Sequence, residues 1–267
     1  MAKKYRGHLN KMVAKPGSPV IYKQEWDGDN FIWNDLLEQE IRIEFLEEIR
    51  CIRCGRITRK SYHQGYCYPC YRTAPQTAAC ILHPERCMAH KGIARDMEWS
   101  EKNCLQDHFV YLTQTSNIKV GVTRGSQVPT RWLDQGAVAA VRIAKLPNRN
   151  RAGELEVALK KHIADKTNWR NMLKETPIEE KLLKAEREKI FSKISKDFSD
   201  YLIADDTIQH FNYPVEKYPE KVKPINLEKD KKMKAKLKGI KGQYLIFDEG
   251  FVLNVRRHNG YLVEIEV

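Results

Sequence analysis

Apolar and polar positions alternate in short runs along the first 50 residues, which predicts strands separated by turns at Gly17-Ser18-Pro19 and Asp27-Gly28-Asp29. The run Ile41 to Ile49, IRIEFLEEI, alternates roughly and predicts a strand leading into the first cysteine pair. Between 51 and 108 the aliphatic residues thin out and Cys, His and Tyr replace them, so this stretch cannot bury much core and needs a metal to hold it. From Phe109 the pattern changes. FVYLTQ and IKVGVT around Thr115-Ser116-Asn117 predict a hairpin, and Thr130 to Leu133 a short helix before Gly136. AVAAVRIAKL fits a strand or a buried helix. The turn PNRN that follows favours the strand. In residues 152–165, Leu155, Ala158, Leu159 and Ile163 recur at helical spacing.

Thr176-Pro177-Ile178-Glu179 reads as a capping box opening a long helix to about Phe198, with Leu182, Leu183, Ile190, Phe191, Ile194 and Phe198 as its apolar stripe. Residues 212–238 mix prolines, tyrosines and lysines and read as a surface linker. The last segment predicts three strands with turns at Glu249-Gly250 and Asn259-Gly260, the latter a hairpin signal. The expected class is therefore α+β: a β-rich segment (1–50), a zinc-ribbon-like segment (51–108), an α/β domain (109–173), a helical segment (174–211), a linker (212–238) and C-terminal β-strands (239–267).

No run of about 18 uncharged apolar residues exists, and the basic N-terminal stretch is followed by no apolar one. The expectation is a cytoplasmic chain with no membrane partner, its oligomeric state left open. Of the 267 residues, 47 are basic and 35 acidic, a formal net charge of +12. The excess is local: residues 111–173 carry 11 basic and 4 acidic side chains, whereas 1–50 carry 8 and 9. A basic stretch of this kind attracts polyanions, DNA or RNA, although solubility alone would also account for it.

All 7 cysteines lie between positions 51 and 104, an odd number that suits metal ligation better than a disulfide framework. Cys51, Cys54, Cys67 and Cys70 form two Cys-x-x-Cys pairs, each followed or preceded by a glycine, Gly55 and Gly65. Four thiolates so spaced can close a tetrahedral structural zinc site without an open position for chemistry. The alternative is a redox pair or free thiols. Cys80, Cys87 and Cys104 supply three ligands for a second zinc. His83, His90 and His108 compete for the fourth place, with His108 first because Cys104 and His108 share a helical spacing. The alternative there is a buried thiol cluster with solvated histidines.

Residues 109–173 resemble a diverged GIY-YIG nuclease domain. Tyr111 stands at the family's first tyrosine, Lys119-Val120-Gly121 at its second motif, Arg131 at the catalytic arginine and Glu156 at the metal-binding glutamate. Phe109 replaces the first glycine, and Lys119 replaces the second tyrosine, the family's proton-transfer residue. The signatures CIRCG…GYCYPC, HPERC, VYLTQTSNIKVGVTR, RWLDQGA and DKTNWRNML also resemble a conserved uncharacterised microbial family, a domain of unknown function. The nuclease resemblance implies phosphodiester cleavage. Arg131, helped by Arg124, would stabilise charge on phosphorus, Mg²⁺ or Mn²⁺ on Glu156 would activate water, and Tyr111 or Lys119 would move the proton. A lysine acts as base only where burial or nearby cations lower its pKa. Each residue also has a plainer reading: Tyr111 as strand packing, Glu156 with Lys160 as a helical ion pair, Arg131 stacked on Trp132, and Lys119 solvated. Trp132, Arg149, Arg151, Trp169 and Arg170 are candidate stacking and phosphate contacts to nucleic acid. The reading that follows is a zinc-containing nucleic-acid-binding protein with a weak or lost nuclease site. The alternatives are an active endonuclease and a module that docks on a ribonucleoprotein or protein.

Overall fold

The computed structural model describes residues 3–26 and 30–267, and the turn read at Asp27-Gly28-Asp29 lies outside them. Strands and helices share the chain in an α+β fold. In chain order the first strands are β1 (Lys4–His8), β2 (Val13–Lys15), β3 (Ile21–Gln24), β4 (Phe31–Ile32) and β5 (Glu40–Ile49). Helices α1 (Tyr68–Thr73) and α2 (Met97–Asn103) precede β6 (His108–Gln114), β7 (Ile118–Arg124), α3 (Thr130–Asp134), β8 (Ala139–Leu146) and α4 (Arg149–Leu159). Then come α5 (Trp169–Met172), α6 (Glu180–Phe191), β9 (Gln209–His210), β10 (Lys223–Pro224), β11 (Lys232–Lys241), β12 (Tyr244–Phe247), β13 (Phe251–Asn254) and β14 (Tyr261–Glu266). Among the described residues no helix is long and apolar enough to cross a membrane.

The chain divides into two compact units. One comprises residues 1–72, 173–175 and 211–267, the other 73–172 and 176–210. The stretch read as one zinc segment, 51–108, is thus shared between them.

The first unit holds a seven-stranded sheet in the order β1-β14-β5-β11-β12-β13-β10 and a three-stranded sheet of β2, β3 and β4. In β5 the alternation works as expected: Ile41, Ile43 and Phe45 are buried, and Arg42 faces out. The supposed linker is corrected here. β11 is a ten-residue strand between β5 and β12. Its lysines alternate with Met233, Ala235 and Leu237, and Lys232 and Lys234 reach Glu44 and Glu40 at 2.8 and 2.6 Å on β5. The hairpin expected at Asn259-Gly260 does not form. A 3-10 turn at Arg256–His258 intervenes, and β14 pairs with β1 and β5 instead of β13. Gly260 serves a different purpose. It has φ of 86°, and a Cβ there would sit 2.1 Å from the Arg50 carbonyl oxygen.

The second unit is built on the sheet β7-β6-β8-β9. The hairpin β6–β7 pairs in register from His108↔Arg124 to Gln114↔Ile118. Val110 and Leu112 enter a core with Val120, Val141, Ile143, Leu155, Leu159, Leu183 and Ile190. Strand alternation therefore turns Tyr111 and Thr113 to the other face. Helix α4 starts at Arg149, three residues earlier than read, and is capped by Asn148, whose side chain accepts from the Arg151 amide. It buries Ala152, Leu155, Glu156 and Leu159, leaving Ala158 exposed. The capping box at 176–179 is not what opens α6, because Glu179 is its cap and makes no side-chain capping bond. Gln114 holds this segment: its Nε2 donates to the Pro177 carbonyl at 2.8 Å, and its Oε1 accepts from the Glu179 amide at 3.0 Å. The helix ends at Phe191, and Phe198 lies in a separate 3-10 turn.

Candidate metal centre and polar cluster

Cys51 follows β5 directly, and Cys67 precedes α1. The segment between them folds back on itself through the bridges Arg50↔Ile57 and Tyr62↔Tyr66 and the bond from the Ile52 amide to the Gly65 carbonyl, 2.9 Å. Gly55 at φ 69° makes the turn after the first pair, where its amide returns to the Cys51 carbonyl at 2.9 Å. Gly65 at φ 122° presses on Ile52, so that a Cβ would come within 2.8 Å of that side chain. The result brings the Sγ atoms of Cys51, Cys54, Cys67 and Cys70 within 4.8 Å of one another. Cys51 and Cys67 are buried and Cys54 is exposed. Burial raises the Cys51 thiol, but the amides of Cys67, Cys54 and Arg53 more than offset it and leave its pKa at about 6. Burial and the neighbouring thiols push Cys70 up to about 12. Four sulfurs at this spacing could hold a zinc ion as a closed tetrahedral site.

In the second unit, Cys80, Cys87 and Cys104 gather in one small cluster with Ala89 and Trp99. Their thiols lie close enough to perturb one another's titration. The set is looser than the first: among the described residues, the four-cysteine group is the one whose ligand atoms all lie within 4.8 Å. The three candidate histidines separate cleanly. His83 is exposed and pairs with Glu85 at 3.5 Å, and His90 is exposed as well. His108 is 1% exposed; its Nδ1 bonds the Gln106 carbonyl at 2.7 Å, and its Nε2 is buried without a partner.

The face of the β6–β7 hairpin opposite the core carries a polar cluster. Gln135, just after α3, accepts from Lys119 Nζ at 2.8 Å and from the Tyr111 hydroxyl at 3.4 Å. Trp132 packs edge-on against Tyr111, 5.6 Å between centroids. Gly121 makes room for the tyrosine: a Cβ there would meet the Tyr111 hydroxyl at 2.7 Å. Burial raises the Tyr111 pKa, and Arg131, within hydrogen-bonding reach of its hydroxyl, opposes the shift. Burial and Arg131 lower Lys119 to about 8, against the pull of Glu156 and Asp165. Glu156 is raised by burial and countered by Lys160, whose Nζ lies 3.3 Å from Glu156 and 3.3 Å from Asp165. Tyr111, Lys119, Arg131 and Glu156, which come from two strands and two helices, are thus one electrostatic group. Sequence reasoning missed Gln135 and Asp165, and little in a polar residue beside a helix end announces either. The burial of Glu156 was legible in hindsight, since it occupies an apolar-stripe position with Ala152, Leu155 and Leu159.

A divalent Mg²⁺ or Mn²⁺ ion fits this group poorly. Lys160 already bridges the two carboxylates, and Lys119 and Arg131 add positive charge beside them. Several candidate nucleic-acid contacts prove structural instead. Trp132 is 1% exposed, so it is core and cannot stack on a base. Arg124 donates to the Asn103 side chain, and Arg149 donates to the Cys80 and Asn103 carbonyls at 3.5 and 3.1 Å. Arg151 pairs with Glu154, donates to the Asp197 carbonyl and covers the Phe198 ring at 4.1 Å. Arg170 remains exposed, with its guanidinium 4.4 Å over the partly exposed Trp169 ring.

Neither a curated protein nor a solved structure matches the chain. One family does: its model, described as Protein of unknown function (DUF2797), matches residues 38–263.

Proposed function

For a chain that belongs to the DUF2797 family, we propose a zinc-containing nucleic-acid-binding protein whose diverged GIY-YIG-like cluster grips a phosphodiester without cutting it efficiently. The observation that carries this reading is the coupling of Tyr111, Lys119, Arg131 and Glu156 into one electrostatic group, in the order strand, strand, helix, helix, with Gln135 bonded to the tyrosine and the lysine. The partly exposed Arg131 guanidinium is a donor of the kind that holds phosphate oxygens, and the Lys119 ammonium, 6% exposed and bonded to Gln135, adds positive charge behind it. Tyr111, 1% exposed, stays protonated because burial raises its pKa, and its hydroxyl donates to Gln135 from behind the binding surface without meeting the ligand. Lys160 takes the place a catalytic cation would need. The four-cysteine set serves as a zinc-ribbon-like structural centre beside this binding role. Trp169 and Arg170 extend the contact as a stacked surface pair.

Binding of labelled single- and double-stranded DNA and RNA between 50 and 200 mM salt tests the proposal. About three phosphate contacts should cost roughly 10–100-fold in affinity over that range, and Arg131→Ala should lower the salt slope by about one. Flat affinity, or no binding at low salt, would overturn it. One observation favours slow cleavage as a second reading: Lys119 near pKa 8 is partly neutral in mild alkali and can then accept a proton. Cutting that appears with Mg²⁺ or Mn²⁺ and vanishes in both Arg131→Ala and Glu156→Ala would establish that reading. Cutting that survives Glu156→Ala would come from elsewhere.

A further inference from the structure

His108 Nε2 is a buried polar atom with no partner in a residue only 1% exposed. Such atoms are rare because leaving one unbonded costs about 1–3 kcal/mol. Its ring is oriented in a particular way. Nδ1 donates to the Gln106 carbonyl at 2.7 Å, which leaves Nε2 with its lone pair free. Histidine ligands of metals are commonly held this way, with one nitrogen fixed by a carbonyl and the other on the ion. Cys104, four residues earlier, lies within electrostatic reach of the ring. It shares a small buried cluster with Cys80 and Cys87.

We propose that Cys80, Cys87, Cys104 and His108 hold a second tetrahedral zinc ion, separate from the four-cysteine set, and that this ion braces the ends of β6, β7 and α4. Three sulfurs and one imidazole are a zinc donor set. With zinc bound, three thiolates leave the centre one negative charge in excess, and the surroundings supply the counter-charge. Arg149 sits beside Cys104, its backbone amide donating to the Cys104 carbonyl at 2.8 Å and its Nη atoms to the carbonyls of Cys80 and Asn103. Arg124 donates to the Asn103 side chain from the end of β7. His108 opens the strand that carries Tyr111, Arg124 closes the strand that carries Lys119, and Arg149 opens the helix that carries Glu156. One ion would therefore fix one end of three of the four elements that build the polar cluster. The short 3-10 turns around Cys80 and Cys87 bury little apolar surface of their own, which is the situation in which a metal supplies the folding energy.

Elemental analysis and zinc X-ray absorption of the full-length protein, purified without chelator, test this. The expected result is about two zinc ions per chain and a mixed shell, sulfur at about 2.3 Å with a nitrogen contribution at about 2.0 Å. His108→Cys keeps four ligands, so it should retain both ions while the shell becomes all sulfur. One zinc per chain, an all-sulfur shell in the unaltered protein, or a nitrogen contribution unchanged in His108→Cys would each overturn the proposal. None of these readouts involves nucleic acid, so they fail or succeed independently of the binding function proposed above.

Discussion

At Lys119, burial and the neighbouring Arg131 act in the same direction and bring the ammonium to about 8, below its ordinary 10.5. Between about pH 8 and 10.5 the unfolded chain holds a proton that the folded chain has released. Stability contributed by this group therefore rises with pH across that window, by an amount on the order of 3 kcal/mol at most. Phosphate binding should respond in the opposite sense, because the cation is lost. Affinity for nucleic acid should weaken as pH climbs through about 8 in the native protein and stay level in Lys119→Arg, which titration of binding by fluorescence anisotropy would check. A parallel fall in both proteins would remove Lys119 from the contact. At this scale the cysteine spacing was readable because Cys-x-x-Cys closes locally, whatever the rest of the chain does. Trp132 and Arg149 were misread for the opposite reason. An aromatic or an arginine next to other polar residues looks the same in sequence whether it meets a ligand or, as here, Tyr111 and the Cys80 carbonyl.

Among the elements, α6 has an unusual start. Its first turn is held by Gln114, from the end of β6, through bonds to the Pro177 carbonyl and the Glu179 amide. Gln114→Leu removes both and leaves two backbone groups short of partners. The expected cost is about 1–3 kcal/mol, read as a lower Tm, with faster amide exchange at Glu179. Unchanged exchange there would mean that the helix is fixed by its apolar face alone, Leu183 and Ile190. The sequence signal at 176–179 pointed to the right neighbourhood and the wrong mechanism, because a side chain sixty-odd residues upstream does the capping. β11 was hidden by its lysines. Period-two alternation with Met233, Ala235 and Leu237 was present, but charge and nearby prolines made it resemble a linker. Asn259-Gly260 carried a hairpin signal, yet the partners of β14 are β1 and β5, both more than two hundred residues away, and no local rule reports that.

At the level of the whole molecule, the division into two units was not legible, since each unit gathers stretches from distant parts of the sequence. The four-cysteine segment is the part of the first unit with least core of its own: from 51 to 72 the buried residues are Cys51, Gly65 and Cys67. Removing zinc, or Cys67→Ser, should therefore unravel 51–72 while the seven-stranded sheet stays protected, a contrast that hydrogen exchange with and without chelator resolves. Loss of protection throughout β5 and β14 would show that the metal supports the whole sheet. The same sheet sets an order of events during synthesis. Strand β5 leaves the ribosome well before its sheet neighbours β11 and β14 do. Until those two strands emerge both edges of β5 stay open, and residues 73–172 are made in the interval. An unpaired, strongly alternating strand invites wrong partners. Its charged outer residues, Arg42 and Glu44 among them, and the four-cysteine segment that follows it are the features that would keep β5 single until β11 and β14 arrive.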